Sequence, residues 1–242
     1  MEARLKLILK LIPWSLIVKT LVFAGAWWIL PFGLFLIVAS YLYLVPFFKP
    51  LKFLAPFLTL LALISPFFLA KSFWVIALGS ATFFIILGVR ELLFINRRAV
   101  YKTAYFILLF MLLHTFFSGF QNWTGWLVVF GSAVAALVFF FLLKNLVGYE
   151  DSLAEKEKIG RRKEFVVQGL AAFFIWQSLW VLLFLPLNYI YQSMLGFLMV
   201  VVLTELVLAY TNFSLTRRKM LANFTILFVF VIFVLASFSP GI

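Results

Sequence analysis

Polar side chains inside long apolar runs are costly to bury, so they mark candidate sites by default. This sequence has few. Glu205 lies in the apolar run 190–211, six residues from its end, and Arg90 and Glu91 lie near the end of the run 73–95. Two chemistries follow. Glu205 and Arg90 can form a structural ion pair, or each can snorkel toward an interface. Alternatively, Glu205 acts as a proton or cation site in an inner-leaflet cavity with Arg90 beside it, as in a small secondary transporter or channel. That second reading depends on whether Glu205→Gln alters a reconstituted flux.

His114 is the single histidine. One imidazole cannot supply bis-histidine haem ligation or a multi-histidine metal site. It could act as a general base, and Ser118 stands at i,i+4 on the same helical face. A Ser–His hydrolase also needs an oriented base and an oxyanion hole, and the sequence FSGF at 117–120 offers neither. A buried, hydrogen-bonded histidine is the expectation. Gln168, Gln177 and Gln192 can hydrogen-bond between helices, each contributing about 1 kcal/mol; Gln177 is also a binding candidate. The pairs Gly131/Ala135, Ser132/Ala136 and Ala77/Ala81 predict close helix contacts. Asn122-Trp123-Thr124 matches a glycosylation sequon in a tight turn.

Other chemistries are excluded. The chain has no cysteine, hence no disulfide, thiolate metal site, iron–sulfur cluster or Cys nucleophile. It has no phosphate-binding Walker loop, no glycine-rich dinucleotide fingerprint and no acid cluster able to hold Mg²⁺ and a diphosphate. The late apolar runs lack the central lysine of a retinal Schiff base. No cofactor and no metal are expected, and an intramembrane enzyme is the least favoured class.

The elements that position these residues follow from composition. The chain is 66% hydrophobic and 12% charged, with mean hydropathy +1.17. A soluble domain has about 45–50% apolar and about 25% charged residues. One core cannot hide this excess, so a bilayer is required. A barrel needs strands that alternate in polarity, and LVFFFLL at 137–143 does not alternate. The predicted class is therefore all-α, a polytopic transmembrane helical bundle of eight to nine spans.

Nine apolar runs can be read: 14–30, 32–48, 53–70, 73–95, 102–118, 124–143, 165–185, 190–211 and 221–239. Ala24-Gly25-Ala26 after a basic start resembles a signal-peptide end, but Lys19 interrupts the run and apolar sequence resumes at once, so a first span is expected. Residues 1–12 place Glu2, Lys6 and Lys10 on one face and Leu5, Ile8, Leu9 and Ile12 on the other, the pattern of an interfacial helix. Leu30-Pro31-Phe32-Gly33 could be a hairpin turn or a kink; lysines on both sides of the pair favour the hairpin, with Trp27 and Trp28 in an aromatic belt. Pro56 and Pro66 predict kinks in the third run.

Charge sets the topology. The net charge is +12; basic residues crowd the cytoplasmic side of membrane proteins, so this is no nucleic-acid signal. With the N-terminus cytoplasmic and the C-terminus on the far side, 19 of the 20 Lys and Arg residues fall in or beside cytoplasmic segments, and only Lys71 lies outside.

The stretch 144–164 (KNLVGYEDSLAEKEKIGRRKE) carries six bases and five acids and is read as a charged cytoplasmic connector. Ser152 to Glu155 fits a capping box, with Glu150 and Asp151 ahead of a short helix from about 152. The connector divides the chain into an interfacial segment 1–12, a six-span half 13–143 and a three-span half 165–242. It is either a solvated link or a docking surface through Glu155, Arg161 and Arg162. The expected partners are membrane lipids and a protein partner in the membrane or at this loop, with no nucleic acid. The expected location is a membrane, a prokaryotic cytoplasmic membrane being inferred from the compact chain. The favoured function is a non-catalytic scaffold or accessory subunit, or a lipid-handling component of a membrane assembly, because spans so poor in polar groups cannot easily line a water-filled path.

Overall fold

The computed structural model describes residues 14–45, 53–65, 73–90, 97–120, 125–151 and 161–237. Regular structure among them is entirely helical: α1 (Trp14–Ile29), α2 (Phe32–Leu44), α3 (Leu54–Ile64), α4 (Phe73–Arg90), α5 (Arg97–Phe120), α6 (Trp126–Asp151), α7 (Arg161–Phe184), α8 (Tyr189–Thr211) and α9 (Arg217–Ser237). Each overlaps one apolar run. A helix satisfies its own backbone amides and carbonyls, which an apolar surrounding demands.

Four segments are long and apolar enough to cross a membrane: Arg98–Gly119, Trp126–Glu150, Lys163–Phe184 and Tyr189–Thr211. At 22 to 25 residues they reach about 33–38 Å, against a hydrocarbon core of about 30 Å. Helices α1, α2 and α3, with 16, 13 and 11 residues, reach only about 24, 20 and 16 Å. The interfacial segment 1–12, Pro66 and the sequon at 122–124 lie outside the described residues.

The chain divides into two compact units, Met1–Leu108 and Leu109–Ile242, with the division inside α5. In the first unit α4 packs on α1 and α3, and α2 packs on α1. The joint at Pro31 is a turn between packed helices. Pro31 caps α2 with extended backbone (φ −67°, ψ 155°), where its missing N–H costs nothing, and the Phe23 and Phe35 rings meet edge-on at 5.2 Å. Pro56 does not kink α3. It is the third residue of that helix, in the first turn, where amides have no intrahelical partner.

Aromatic rings fill this core. Phe23 stacks on Phe83 at 4.1 Å, and Tyr43 stacks on Phe57 at 4.1 Å; such pairs contribute about 0.5–1.5 kcal/mol each beyond their burial. Trp27 belongs to this core and not to a belt. It is fully buried against Phe23 and Phe35, while Trp28 is 52% exposed. Among the described residues the Trp27 indole N–H has no hydrogen-bond partner, and neither has the Ser80 hydroxyl. The close helix approach on α4 is at Gly79, where a Cβ would stand 2.6 Å from the Trp27 Cζ3. The predicted contact pair Ala77/Ala81 is instead exposed.

In the second unit α6 packs on α7, α7 on α8 and α8 on α9, with a further α6–α8 contact. The α6–α7 seam runs through buried Ser132, Ala135 and Ala136. The Trp176 indole N–H donates to Ser132 Oγ (3.1 Å), and the Ser132 hydroxyl donates to the Val129 carbonyl (2.9 Å). The small-residue spacing at 132 and 136 therefore does mark a close contact. At the other seam, Gly196 on α8 lies against Leu182, Phe117 and Leu113.

Two turns are fixed by capping. The Asn188 side chain accepts from the Ile190 amide at the start of α8. Buried Gln192 donates from Nε2 to the carbonyls of Leu182 (2.9 Å) and Leu185 (3.2 Å). One side chain thus adds a second donor to two carbonyls at the end of α7, which otherwise accept only the Leu185 amide (3.3 Å) and the Leu187 amide (2.7 Å) of the turn. The α8–α9 turn is a Schellman motif: the Ser214 amide donates to the Ala209 carbonyl (2.9 Å) and the Phe213 amide to the Tyr210 carbonyl (3.1 Å). Phe213 takes the left-handed position, φ 52°, which glycine usually fills; a residue with a Cβ pays about 1–2 kcal/mol there.

Glu150 and Asp151 belong to the helix before them, whereas the short helix expected from about 152 lies outside the described residues. The two acids end α6, where the helix dipole opposes negative charge. The helix runs on because Leu142, Leu143, Leu146, Val147 and Tyr149 keep a buried stripe going. The capping box at Ser152 to Glu155 lies outside the described residues.

Candidate functional site

A concavity among the described residues lies where α6 begins and α7 ends. Gly125, with φ +31°, turns the chain into α6, and the Val128 amide donates to the Gly125 carbonyl (3.2 Å). Trp126, Val128 and Val129 of α6 face Trp180, Leu183 and Phe184 of α7 across a cavity of about 520 Å³. This falls within the range of about 300–1,000 Å³ typical of ligand sites. Trp180 and Phe184, one helical turn apart, stack at 6.4 Å, and Trp126 and Phe184 are 86% and 80% exposed at the rim. No charged side chain lines the cavity. Its walls can hold an apolar chain by burial and ring contact. Among these lining side chains none is a nucleophile or a base.

Trp126 is legible in the sequence as part of an aromatic turn. Trp180 and Phe184 carry no chemical signal in the sequence beyond an i,i+4 spacing that places them on one face. They come level with Trp126 because α6 and α7 are consecutive packed helices of opposite direction.

His114 sits on α5, half-buried. Its ring stacks on Phe110 (6.1 Å, 16° between planes) and tilts against Tyr189 (5.6 Å). The Ser118 hydroxyl donates to the Thr115 carbonyl (3.2 Å), so it is not held by the imidazole. Among the described residues the imidazole makes aromatic contacts and no hydrogen bond. The expected hydrogen-bonded histidine is therefore a stacked one, and nothing here builds a Ser–His dyad.

Glu205 is half-buried on α8 beside fully buried Thr204. Arg90 is the last residue of α4; its side chain and the whole of Glu91 lie outside the described residues. Arg161 and Arg162 open α7, with side chains outside the described part, as is Glu155. Gln177 is exposed, whereas Gln168 and Gln192 are buried. Of the three glutamines, Gln192 makes the interhelical bonds. Among the described residues no group of three or more His, Asp or Glu side chains could hold a metal ion.

Most hydroxyls are satisfied within their own helix. Thr20, Thr59, Thr82, Thr103, Thr115, Ser178, Ser193 and Thr225 each donate to the carbonyl four residues earlier. No protein-family model matches the sequence, and no curated protein or solved structure matches it.

Proposed function

We propose that this protein is a multi-pass integral membrane protein without a catalytic role, a lipid-handling or accessory component of a membrane assembly, which holds an apolar chain such as that of a membrane lipid. The cavity between Trp126, Val129, Trp180 and Phe184 carries this reading, since it is ligand-sized and its walls are apolar and aromatic. The self-satisfied hydroxyls support it, because they leave few polar groups to guide a hydrophilic solute. Nine spans, a cytoplasmic N-terminus and a C-terminus on the far side are proposed from the placement of Lys and Arg. The connector 144–164 is proposed as the place where a soluble partner docks.

The cavity is tested by native mass spectrometry of protein purified in mild detergent. The wild type is expected to retain lipid. Val129→Trp, which fills the cavity from its half-open side, is expected to reduce retention about tenfold, equivalent to about 1.4 kcal/mol, with the thermal transition unchanged. A wild type free of lipid, or a filled variant that retains as much as the wild type, would refute the reading.

A further inference from the structure

The α8–α9 turn, closed by its Schellman motif, combines side chains that helix capping does not require. Arg217, Arg218 and Lys219 are all exposed, and their side chains form no ion pair or hydrogen bond among the described residues. They occupy the first turn of α9, the end at which a helix disfavours cations, so they are not there as caps. The cap is Thr216, whose Oγ1 accepts from the Lys219 amide (3.3 Å). In the turn before them stands Phe213, held in the left-handed conformation yet 70% exposed. Strain of this kind usually persists where a site uses it. Here the strained residue is an aromatic ring directed away from the protein, followed by exposed Leu215 and, past the cations, by exposed Met220 and Leu221.

We infer that this turn is a binding site for the phosphate of anionic phospholipids. Phe213 and Leu215 enter the headgroup boundary, and the Arg217, Arg218 and Lys219 side chains meet the phosphates. Arginine forks match phosphate oxygens in pairs, and lysine adds a point charge. An aromatic ring beside basic residues is the composition of an interfacial anchor. The unpaired cations supply the charge complementarity, and an anionic leaflet is the phase that also accepts the exposed apolar flanks. The inference rests on the chain being embedded in a membrane, as proposed above.

The test uses the full chain and flotation with liposomes of phosphatidylcholine alone or with phosphatidylglycerol added. Wild type is expected to float with both and to prefer the anionic vesicles, with the preference weakening as salt is raised. Arg217→Gln with Arg218→Gln is expected to lower that preference by about fivefold for each cation removed. The charge-matched pair Lys144→Gln with Lys163→Gln, two exposed lysines at the same end of the bundle, is expected to lower it less. Phe213→Gly, which relieves the strain without changing charge, is expected to raise the thermal transition while weakening the preference.

Equal losses from the two charge-matched pairs would overturn the site, leaving only general surface charge. So would a Phe213→Gly variant with wild-type preference, or a wild type indifferent to phosphatidylglycerol, as expected if the turn served an acidic protein segment instead. Failure to float with any vesicle would instead overturn the membrane reading itself.

Discussion

Replacing Gly79 with leucine is expected to cost about 3 kcal/mol, the upper end of the range for overpacking. A Cβ at Gly79 meets Trp27 Cζ3 at 2.6 Å and Cη2 at 3.1 Å, with Ile64 Cδ1 at 3.5 Å. The tryptophan cannot swing aside, because it is fully buried against Phe23 and Phe35. Alanine alone already collides, and its helix-propensity advantage over glycine of about 0.5–1 kcal/mol does not offset the clash. Two other glycines calibrate the result. At Gly196 the nearest atom is 3.3 Å away, so Gly196→Ala is expected to come out near neutral. At Gly25 nothing lies within 4 Å, so Gly25→Ala is expected to stabilise by about 0.5–1 kcal/mol. Thermal unfolding in detergent should rank the alanine variants Gly25, Gly196, Gly79, from most to least stable. A Gly79→Leu protein that melts with the wild type would contradict the packing of α1 on α4.

Replacing Gln192 with leucine is expected to cost about 1–2 kcal/mol and to loosen the α7–α8 hairpin. Its side chain supplies a second donor to the Leu182 and Leu185 carbonyls at a helix end. Leucine has similar bulk but removes both bonds, leaving each carbonyl with the turn amide alone, and each such bond contributes about 0.6 to 1.7 kcal/mol between membrane helices. Gln177→Leu, on the exposed face of α7, is expected to leave stability unchanged. Proteolysis at the 185–188 turn and thermal melting would measure the difference, and equal behaviour of the two variants would contradict the capping role.

The helical class and the nine segments could be read from the sequence because long apolar runs leave the backbone one way to satisfy its polar groups. Which face of each helix turns inward could not. In a water-soluble helix the polar side announces the buried one, but the run 14–30 is apolar all round apart from Ser15, Lys19 and Thr20. Trp27 and Trp28 are neighbours about 100° apart, and nothing local indicates that the first is core and the second exposed. The small-residue motif failed for the same reason. Ser132/Ala136 and Ala77/Ala81 share a spacing, yet only the first pair has a helix against it. Gly79 gave no signal at all, since the ring it accommodates belongs to Trp27, 52 residues earlier in sequence.

The charged stretch misled in another way. Charge density at 144–164 suggests a link in water, but Leu146, Val147 and Tyr149 hold the first third of it in α6. The cavity was the least legible feature. Its walls come from two helices, and none of its residues is a chemical group that stands out in a sequence. The strain at Phe213 is likewise a property of the backbone that no residue type announces.

Repeated crossing of a bilayer with the basic turns on one side is tested most directly by topology reporters in cells. A reporter active only in the cytoplasm is predicted to be silent when fused after Leu185 and active when fused after Lys219. Activity after Leu185 matching that after Lys219 would contradict the threading of α7 through α9 and, with it, the nine-span arrangement.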